Sequence, residues 1–253
     1  MLRCVSWNIY KDNKDQIKSF QTLVDLENPD VICLQEVSPK LLDYLKNTQT
    51  TYEVESCQDF KWKKDFVAYL VILSKSKILH NYTSQLHNKK IGSLLARHNG
   101  IREPREFHFV DLLIREDFIL RVINLHLEVA TGTKRRQEEF YNTLSNLSNH
   151  IPNVICGDFN IFANPLLNIF IGWAFNFGLT DYLALERGKF EKIFNKFGLK
   201  NLHYKKITYP KFRLQLDHIL IDNKLQSRQT QVATNLFGSD HYYISTTLEP
   251  IPN

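Results

Sequence analysis

The chain has 253 residues, 43% of them hydrophobic and 23% charged, with a formal net charge of +5. That length can bury a sizeable core in one large domain or two small ones, and the composition excludes a disordered or fibrous chain. The mildly basic balance suits nucleic acid, and favours it only slightly over an anionic membrane surface or a small phosphorylated substrate.

The N-terminal stretch MLRCVSWNIY has neither a long apolar run nor a small-residue cleavage site, so no export signal is expected and the location reads as cytoplasmic. VSWN opens a strand, after which Ile17, Phe20 and Val24 recur at helical spacing. Asn28-Pro29-Asp30 breaks the helix, and VICLQE follows as a buried strand. Ser38-Pro39 is a helix start, with the hydroxyl as cap and proline in the first turn. AYLVILS gives a third strong strand signal, and residues 84–106 read as an exposed polar loop. FHFVDLLIR and FILRVINLHLE form a hairpin through Glu116-Asp117. Lys134 to Leu147 is a helix with an apolar line at Phe140, Leu144 and Leu147. NVICGDFN is a short core strand ending in a polar loop. Residues 165–200 are expected to be helical and aromatic-rich; LQLDHILI and YYISTTLE are the last strands. No segment has the apolar length of a membrane span; the best candidate, 166–177, is broken by Asn168, Gly172 and Asn176. Cys4, Cys33 and Cys156 lie in β-like apolar runs and read as buried free thiols. With no low-complexity linker, residues 1–253 are expected to form one α/β domain with mixed sheets, acting as a monomer.

Polar groups recur at the ends of these apolar runs: Asn8, Gln35 with Glu36, Asn124 with His126 and Glu128, Asp158 with Asn160, Asp217 with His218, and Asp240 with His241. A carboxylate there costs free energy unless it is paired or bound to metal, and a shared cleft at the strand ends explains all of them together. The donors are carboxylates and carboxamides, a hard oxygen-rich set suited to magnesium or manganese. There is no His-Glu-x-x-His zinc motif, no phosphate loop and no Gly-x-Ser-x-Gly nucleophile elbow.

SWNIY, ICLQEV, NLHLE, VICGDFN, LQLDHIL and SDHYYI together resemble, in order, the signature of the endonuclease/exonuclease/phosphatase superfamily. The resemblance runs from Trp7 to Tyr243. It implies a deoxyribonuclease-like, four-layered αββα sandwich of two packed mixed sheets, with the site at one edge. It also implies a metal-dependent phosphoesterase that uses an activated water. By the same resemblance, Glu36 is the main metal ligand assisted by Asn8, and Asp240 is a further metal or metal-water ligand. Asp158 orients or deprotonates the attacking water, and Asn160 positions water and phosphate. His241 touches a phosphate oxygen, held by Asp217, while His126 is a second phosphate contact or leaving-group proton donor.

The flanking residues are read less sharply. Asn124 orients the loop beneath the site, Glu128 supports a histidine or lines the rim, and His218 packs or faces solvent. Arg102 and Arg105 are candidate contacts for substrate phosphate. Arg135, Arg136 and Gln137 read as a solvated helix face; by resemblance, the family often carries a basic residue and a glutamine here, the glutamine bracing the strand-to-helix loop. Trp173, Phe175 and Phe177 pack against a sheet, stack a base or meet an acyl chain. Leu70 stands where many members of the family carry asparagine, leaving Asp65 or Tyr69 to fill that role. Nucleic acid leads as substrate; a phospholipid or sphingomyelin, an inositol phosphate, or a non-catalytic binding role for the fold are the alternatives.

Overall fold

The computed structural model describes residues 1–62, 66–86, 105–162, 172, 177, 179–182 and 185–251. The expected long apolar runs become central strands: β1 (Leu2–Asn8), β2 (Val31–Val37) and, after β3 (Glu53–Trp62), β4 (Phe66–Ser74). β5 (Lys77–Gln85) precedes the expected hairpin of β6 (Glu106–Arg115) and β7 (Phe118–His126), and β8 is Asn153–Asp158. β9 (Lys200–Asn201), β10 (Asp217–Ile221), β11 (Leu225–Val232) and β12 (Ile244–Pro250) complete the set.

Two six-stranded sheets result, ordered β11-β12-β1-β2-β4-β3 and β5-β6-β7-β8-β10-β9. Among the described residues, only β1–β2 and β7–β8 pair in parallel, one pair per sheet. Both sheets therefore repeat one succession of senses, and the C-terminal ends of both parallel pairs carry polar residues to a common edge.

Helix α1 (Gln16–Glu27) is capped by the Asp15 carboxylate, which accepts from Lys18 N–H at 3.0 Å, and ends at left-handed Asn28. Helix α2 (Pro39–Asn47) starts as expected, with the Ser38 hydroxyl accepting from Leu41 N–H and proline at the first turn. Helix α3 is Thr133–Leu144, and α4 (Leu179–Tyr182) and α5 (Glu186–Lys196) fall within the stretch expected to be helical. Among the described residues, no helix is long and apolar enough to cross a membrane.

Strand alternation sorts the core into layers. Cys4, Val31, Cys33, Val110, Val122, Val154, Cys156 and Ile219 meet between the sheets. Val5, Trp7, Ile32 and Leu34 face outward under Phe20, Leu23, Leu41 and Leu45 of α1 and α2. Ile123, Leu125, Ile155 and Leu220 lie under Phe140 of α3 and Phe190 and Phe194 of α5. The order is helix, sheet, sheet, helix, the expected αββα sandwich. Cys4, Cys33 and Cys156 are free and buried as expected, with Cys4 and Cys156 Sγ atoms 3.8 Å apart.

Three expectations are corrected. Residues 84–106 are not loop at their ends: Ser84 and Gln85 belong to β5, Glu106 to β6, and Leu86 N–H donates to Arg105 C=O at 2.8 Å. The middle of that stretch, with Arg102, lies outside the described residues, as do Asp65, Trp173 and Phe175. The helix at Arg135–Gln137 is not a purely solvated face, because Arg136 is fully buried. Its guanidinium donates to Glu186 at 2.8 and 3.1 Å and to the carbonyls of Glu128, Val129 and Thr131, so it braces the loop that follows β7. Finally, β3, β5, β9 and β11 carry no strand signal in the sequence reading. All four are sheet edges.

Candidate active site

The two parallel pairs end in Asn8 and Glu36 from one sheet and in His126 and Asp158 from the other. Asp217 begins β10 directly opposite Asp158, and Asp240 and His241 lie in the turn before β12. An antiparallel strand starts where its neighbour ends, so strand sense alone gathers these residues at one edge.

Local backbone geometry aims the side chains. Glu36 has a left-handed φ of 58°, where the β2–β4 register slips between Leu34 and Val37. That conformation costs a non-glycine residue roughly 1 kcal/mol, and here it turns the Glu36 carboxylate out of the ladder. Asn160 is also left-handed, with φ 50°, a region asparagine tolerates. Gly157 has φ 146°, and a Cβ there would lie 1.8 Å from the Leu125 carbonyl on β7. Glycine is therefore required for β7 and β8 to pair closely just before Asp158. Phe159 is fully buried against Phe140, Phe194 and His218, which pins the GDFN turn to the outer core.

Asp158 is the hub. One of its oxygens accepts from Asn160 N–H at 2.9 Å, the other from Asn8 Nδ2 at 3.0 Å. The Asn8 amide also donates to Glu36 Oε1 at 3.2 Å, and Asn160 Nδ2 donates to Leu127 C=O. Two imidazoles face the hub: His126 Nε2 at 3.6 Å and His241 Nε2 at 3.9 Å from Asp158 Oδ2. Each is backed by its own carboxylate, with His241 Nδ1 2.8 Å from Asp217 and His126 Nδ1 2.7 Å from Asp59.

Burial alone would hold His241 neutral, but Asp217, Asp158 and Asp240 outweigh it and push its pKa up to about 10. His126 is shifted the same way: burial and Arg105 oppose the proton, and Asp59 and Asp158 prevail. Both shifts run toward the protonated ring, because each imidazole sits among carboxylates. Asp240 is pushed up to about 6, first by burial and then by Glu36, against the pull of His241. Its Oδ1 is buried without a hydrogen-bond partner among the described residues. A carboxylate oxygen without a hydrogen bond, close enough to Glu36 to feel its charge, fits a hard divalent cation. Asp158, Asp217 and His241 also bring ligand atoms within 4.8 Å of one another. There, however, the Asp217–His241 contact is a hydrogen bond that uses His241 Nδ1, so we read this trio as a dyad facing a base.

Asp59 and its partners are what the sequence reading missed. Asp59 occupies the β3 bulge between Gln58 and Phe60 and is buried between His126 and Arg105 Nη1, the latter at 2.8 Å. Burial would raise its pKa, but His126 and Arg105 lower it overall. Arg105 Nε donates to Glu128 at 3.0 Å and the guanidinium lies 4.5 Å from the Phe60 ring centroid. Arg105 is thus enclosed by two carboxylates and an aromatic face, a setting that commits it to bracing His126 rather than to meeting phosphate. Glu128 supports the histidine through it. Tyr69 packs with the cluster under α1 and α2, and Leu70 is buried, so neither takes the asparagine role; Asp59 stands beside the histidine instead. Asn124 spans the sheets, donating to Leu34 and Val71 carbonyls and accepting from Gln35 at 2.8 Å. His218 packs on Phe159, as expected for the opposite face. The only trace of Asp59 in the sequence is an acid between Cys57 and Phe60, and nothing local marks the bulge that turns it inward.

Two histidines backed by carboxylates, facing a third carboxylate at the paired strand ends, make a site suited to hydrolysis by an activated water. The sequence profile of the Endonuclease/Exonuclease/phosphatase family matches residues 5–241, and the chain belongs to this family, whose members are phosphoesterases. No curated protein sequence matches. Among solved structures, the endonuclease/exonuclease/phosphatase from Beutenbergia cavernae DSM 12333 is similar at a TM-score of 0.74 and 15% identity, covering 98% of this chain and 71% of that one. The family protein from Leptotrichia buccalis C-1013-b gives 0.71 at 15% identity, covering 98% and 100%. D. rerio TDP2 complexed with single strand DNA product gives 0.65 at 14% identity, covering 98% of each chain. At these identities the likeness shows a shared fold.

Proposed function

We propose that this enzyme is a divalent-cation-assisted phosphodiesterase acting on nucleic acid. The observation that carries the reading is Asp158, fixed by Asn8 and Asn160 and faced by two histidines with their own carboxylates. Glu36, Asp240 and Asn8 would hold a magnesium or manganese ion, whose positive charge relieves the charge that builds on the phosphoryl oxygens. Asp158 accepts the proton of the attacking water, and Asn160 orients that water. The His241 imidazolium, its ring fixed through Nδ1 by Asp217, donates from Nε2 to a phosphoryl oxygen as charge develops. His126, fixed in the same way by Asp59, donates to a second oxygen or to the leaving group. The net charge of +5 and the single strand DNA product carried by the structurally similar TDP2 favour a nucleic-acid substrate.

The test is cleavage by the purified protein in magnesium of single-stranded and plasmid DNA, abasic and 5′-tyrosyl oligonucleotides, RNA, sphingomyelin and inositol phosphates. Cleavage of a nucleic acid, lost on chelation and in Asp158→Asn and His241→Ala, is the expected result. Cleavage confined to sphingomyelin or inositol phosphates would overturn the nucleic-acid assignment. Wild-type activity retained by Asp158→Asn would overturn the mechanism.

A further inference from the structure

Between His203 and Leu216 the chain carries Lys205, Lys206, Lys211 and Arg213 and no acidic residue. Phe212, at the outer turn of this segment, leaves half of its surface exposed (50%). The turn is tightly built. Tyr209 and Leu214 exchange N–H to C=O bonds of 2.9 and 3.0 Å, and Arg213 N–H donates to Pro210 C=O at 3.1 Å. It is also tied to the catalytic residues on two sides. Thr208 Oγ1 accepts from the N–H groups of Leu216 and Asp217, and Thr208 C=O accepts from Tyr242 N–H at 2.8 Å.

The rings form a file leading into the site. The Tyr209 centroid lies 4.9 Å from the His241 ring, and the Phe212 centroid 5.9 Å from Tyr209. The Lys211 ammonium is 5.8 Å from the Phe212 ring centroid. An exposed aromatic on a rigid turn keeps a face available at little entropic cost, and every base has a π-face to offer. The Lys211 ammonium beside the Phe212 ring suits the phosphate that accompanies a stacked base.

We infer that the turn 209–213 is a stacking platform for an unpaired base next to the scissile phosphate, so that the preferred substrate is a single-stranded nucleic acid. The inference rests on the nucleic-acid reading above and adds to it the strandedness of the substrate and the residue that reads it. Phe212 supplies the outer ring, Tyr209 the inner one, and Lys211 and Arg213 hold the backbone. A base paired within a duplex has both faces already stacked and gains nothing from Phe212.

The test is the affinity of the full-length protein, in magnesium, for a fluorescein-labelled phosphorothioate octathymidylate, by fluorescence anisotropy, and, by competition, for a relaxed covalently closed duplex circle, which has no terminal base pair to offer a free face. Phe212→Ala should weaken strand binding about tenfold, the change produced by losing roughly 1.4 kcal/mol of stacking. Duplex affinity should move less than twofold, and Phe212→Trp should restore the strand. Circular dichroism and the melting temperature check that the exposed substitution leaves the fold intact. Unchanged strand affinity in Phe212→Ala, an equal loss for strand and duplex, or no strand binding by the wild type would each overturn the platform. So would a Phe212→Ala protein that binds the strand normally but loses binding to phosphatidylserine vesicles, which would assign the ring to a lipid surface. Cleavage assays run separately: a wild type that binds strands through Phe212 but hydrolyses none overturns the hydrolase reading and leaves the platform standing.

Discussion

Asp59→Asn separates positioning of His126 from its presence. The Asp59 carboxylate is enclosed and takes one charge-assisted bond from Arg105 Nη1 at 2.8 Å and one shared with His126 Nδ1 at 2.7 Å. Bonds of this kind contribute about 1.5–3 kcal/mol each. Asparagine preserves the volume and one acceptor, so about 2 kcal/mol should be lost, or roughly 4–8 °C in Tm for a chain of this size. Asp59→Ala leaves Arg105 with Glu128 alone and the imidazolium uncompensated, and should cost about 3–5 kcal/mol. The kinetic consequence is distinct. Without its carboxylate, His126 loses both its orientation and the charge that favours its proton. Losing an acid–base group outright costs about 10²–10⁴ in rate, and misorienting one should cost about 10–100-fold in kcat, with KM within about twofold. Steady-state cleavage of the best substrate in magnesium, alongside thermal melts, reads both effects. Wild-type kcat in Asp59→Asn would refute the assignment, because a merely structural carboxylate would move Tm and leave turnover alone.

Three further outcomes are expected. His108 and His203 are buried, burial pushes both down to about 4, and on unfolding they regain an ordinary pKa near 6.5. Each takes up a proton as the chain unfolds, so its stability contribution is complete above about pH 6.5 and falls as pH drops toward 4, by up to about 3 kcal/mol per residue. The raised groups His241, Asp240 and Glu139 tilt stability the other way over this range, so the readout is the variant: His108→Leu should change the difference in urea unfolding free energy between pH 7.5 and pH 5 by about 2 kcal/mol, and an unchanged difference would contradict this. Arg136→Ala strands buried Glu186, and should cost about 3–5 kcal/mol in urea unfolding. Arg136→Lys should not restore it, because an ammonium cannot reproduce the two-point bond to Glu186. Magnesium should raise Tm, by the equivalent of about 2.7 kcal/mol at a hundredfold excess over its Kd. The rise should vanish in Glu36→Gln with Asp240→Asn, and persistence of the full shift in that double variant would place the cation elsewhere.

Central strands were legible because each is covered on both faces. Val31 to Val37 and Asn153 to Asp158 are buried almost throughout, so their apolar runs are continuous and their terminal carboxylates stand out. The caps at Ser38 and Asn28 were equally local, since a hydroxyl before proline and an asparagine before proline carry their own geometry. The edges were not legible. β5 is mostly exposed and β11 reads LQSRQTQV, so their strand state comes from one hydrogen-bonded neighbour rather than from their own pattern. The same division holds in the site. Glu36, His126, Asp158, Asp217 and His241 are charged or titratable groups attached to apolar runs, a conflict any reader of the chain can see. Asp59, Arg105 and Arg136 look like surface charges, because the groups they form ion pairs with lie far away in the sequence. Asp59 and Arg105 are 46 residues apart, Arg136 and Glu186 50. The sequence, read with its family resemblance, determined the sandwich, its central strands and the polar groups gathered at the strand ends. Tertiary structure alone decided which charges are buried against each other, because a buried ion pair is a property of two distant segments and neither carries its signature alone.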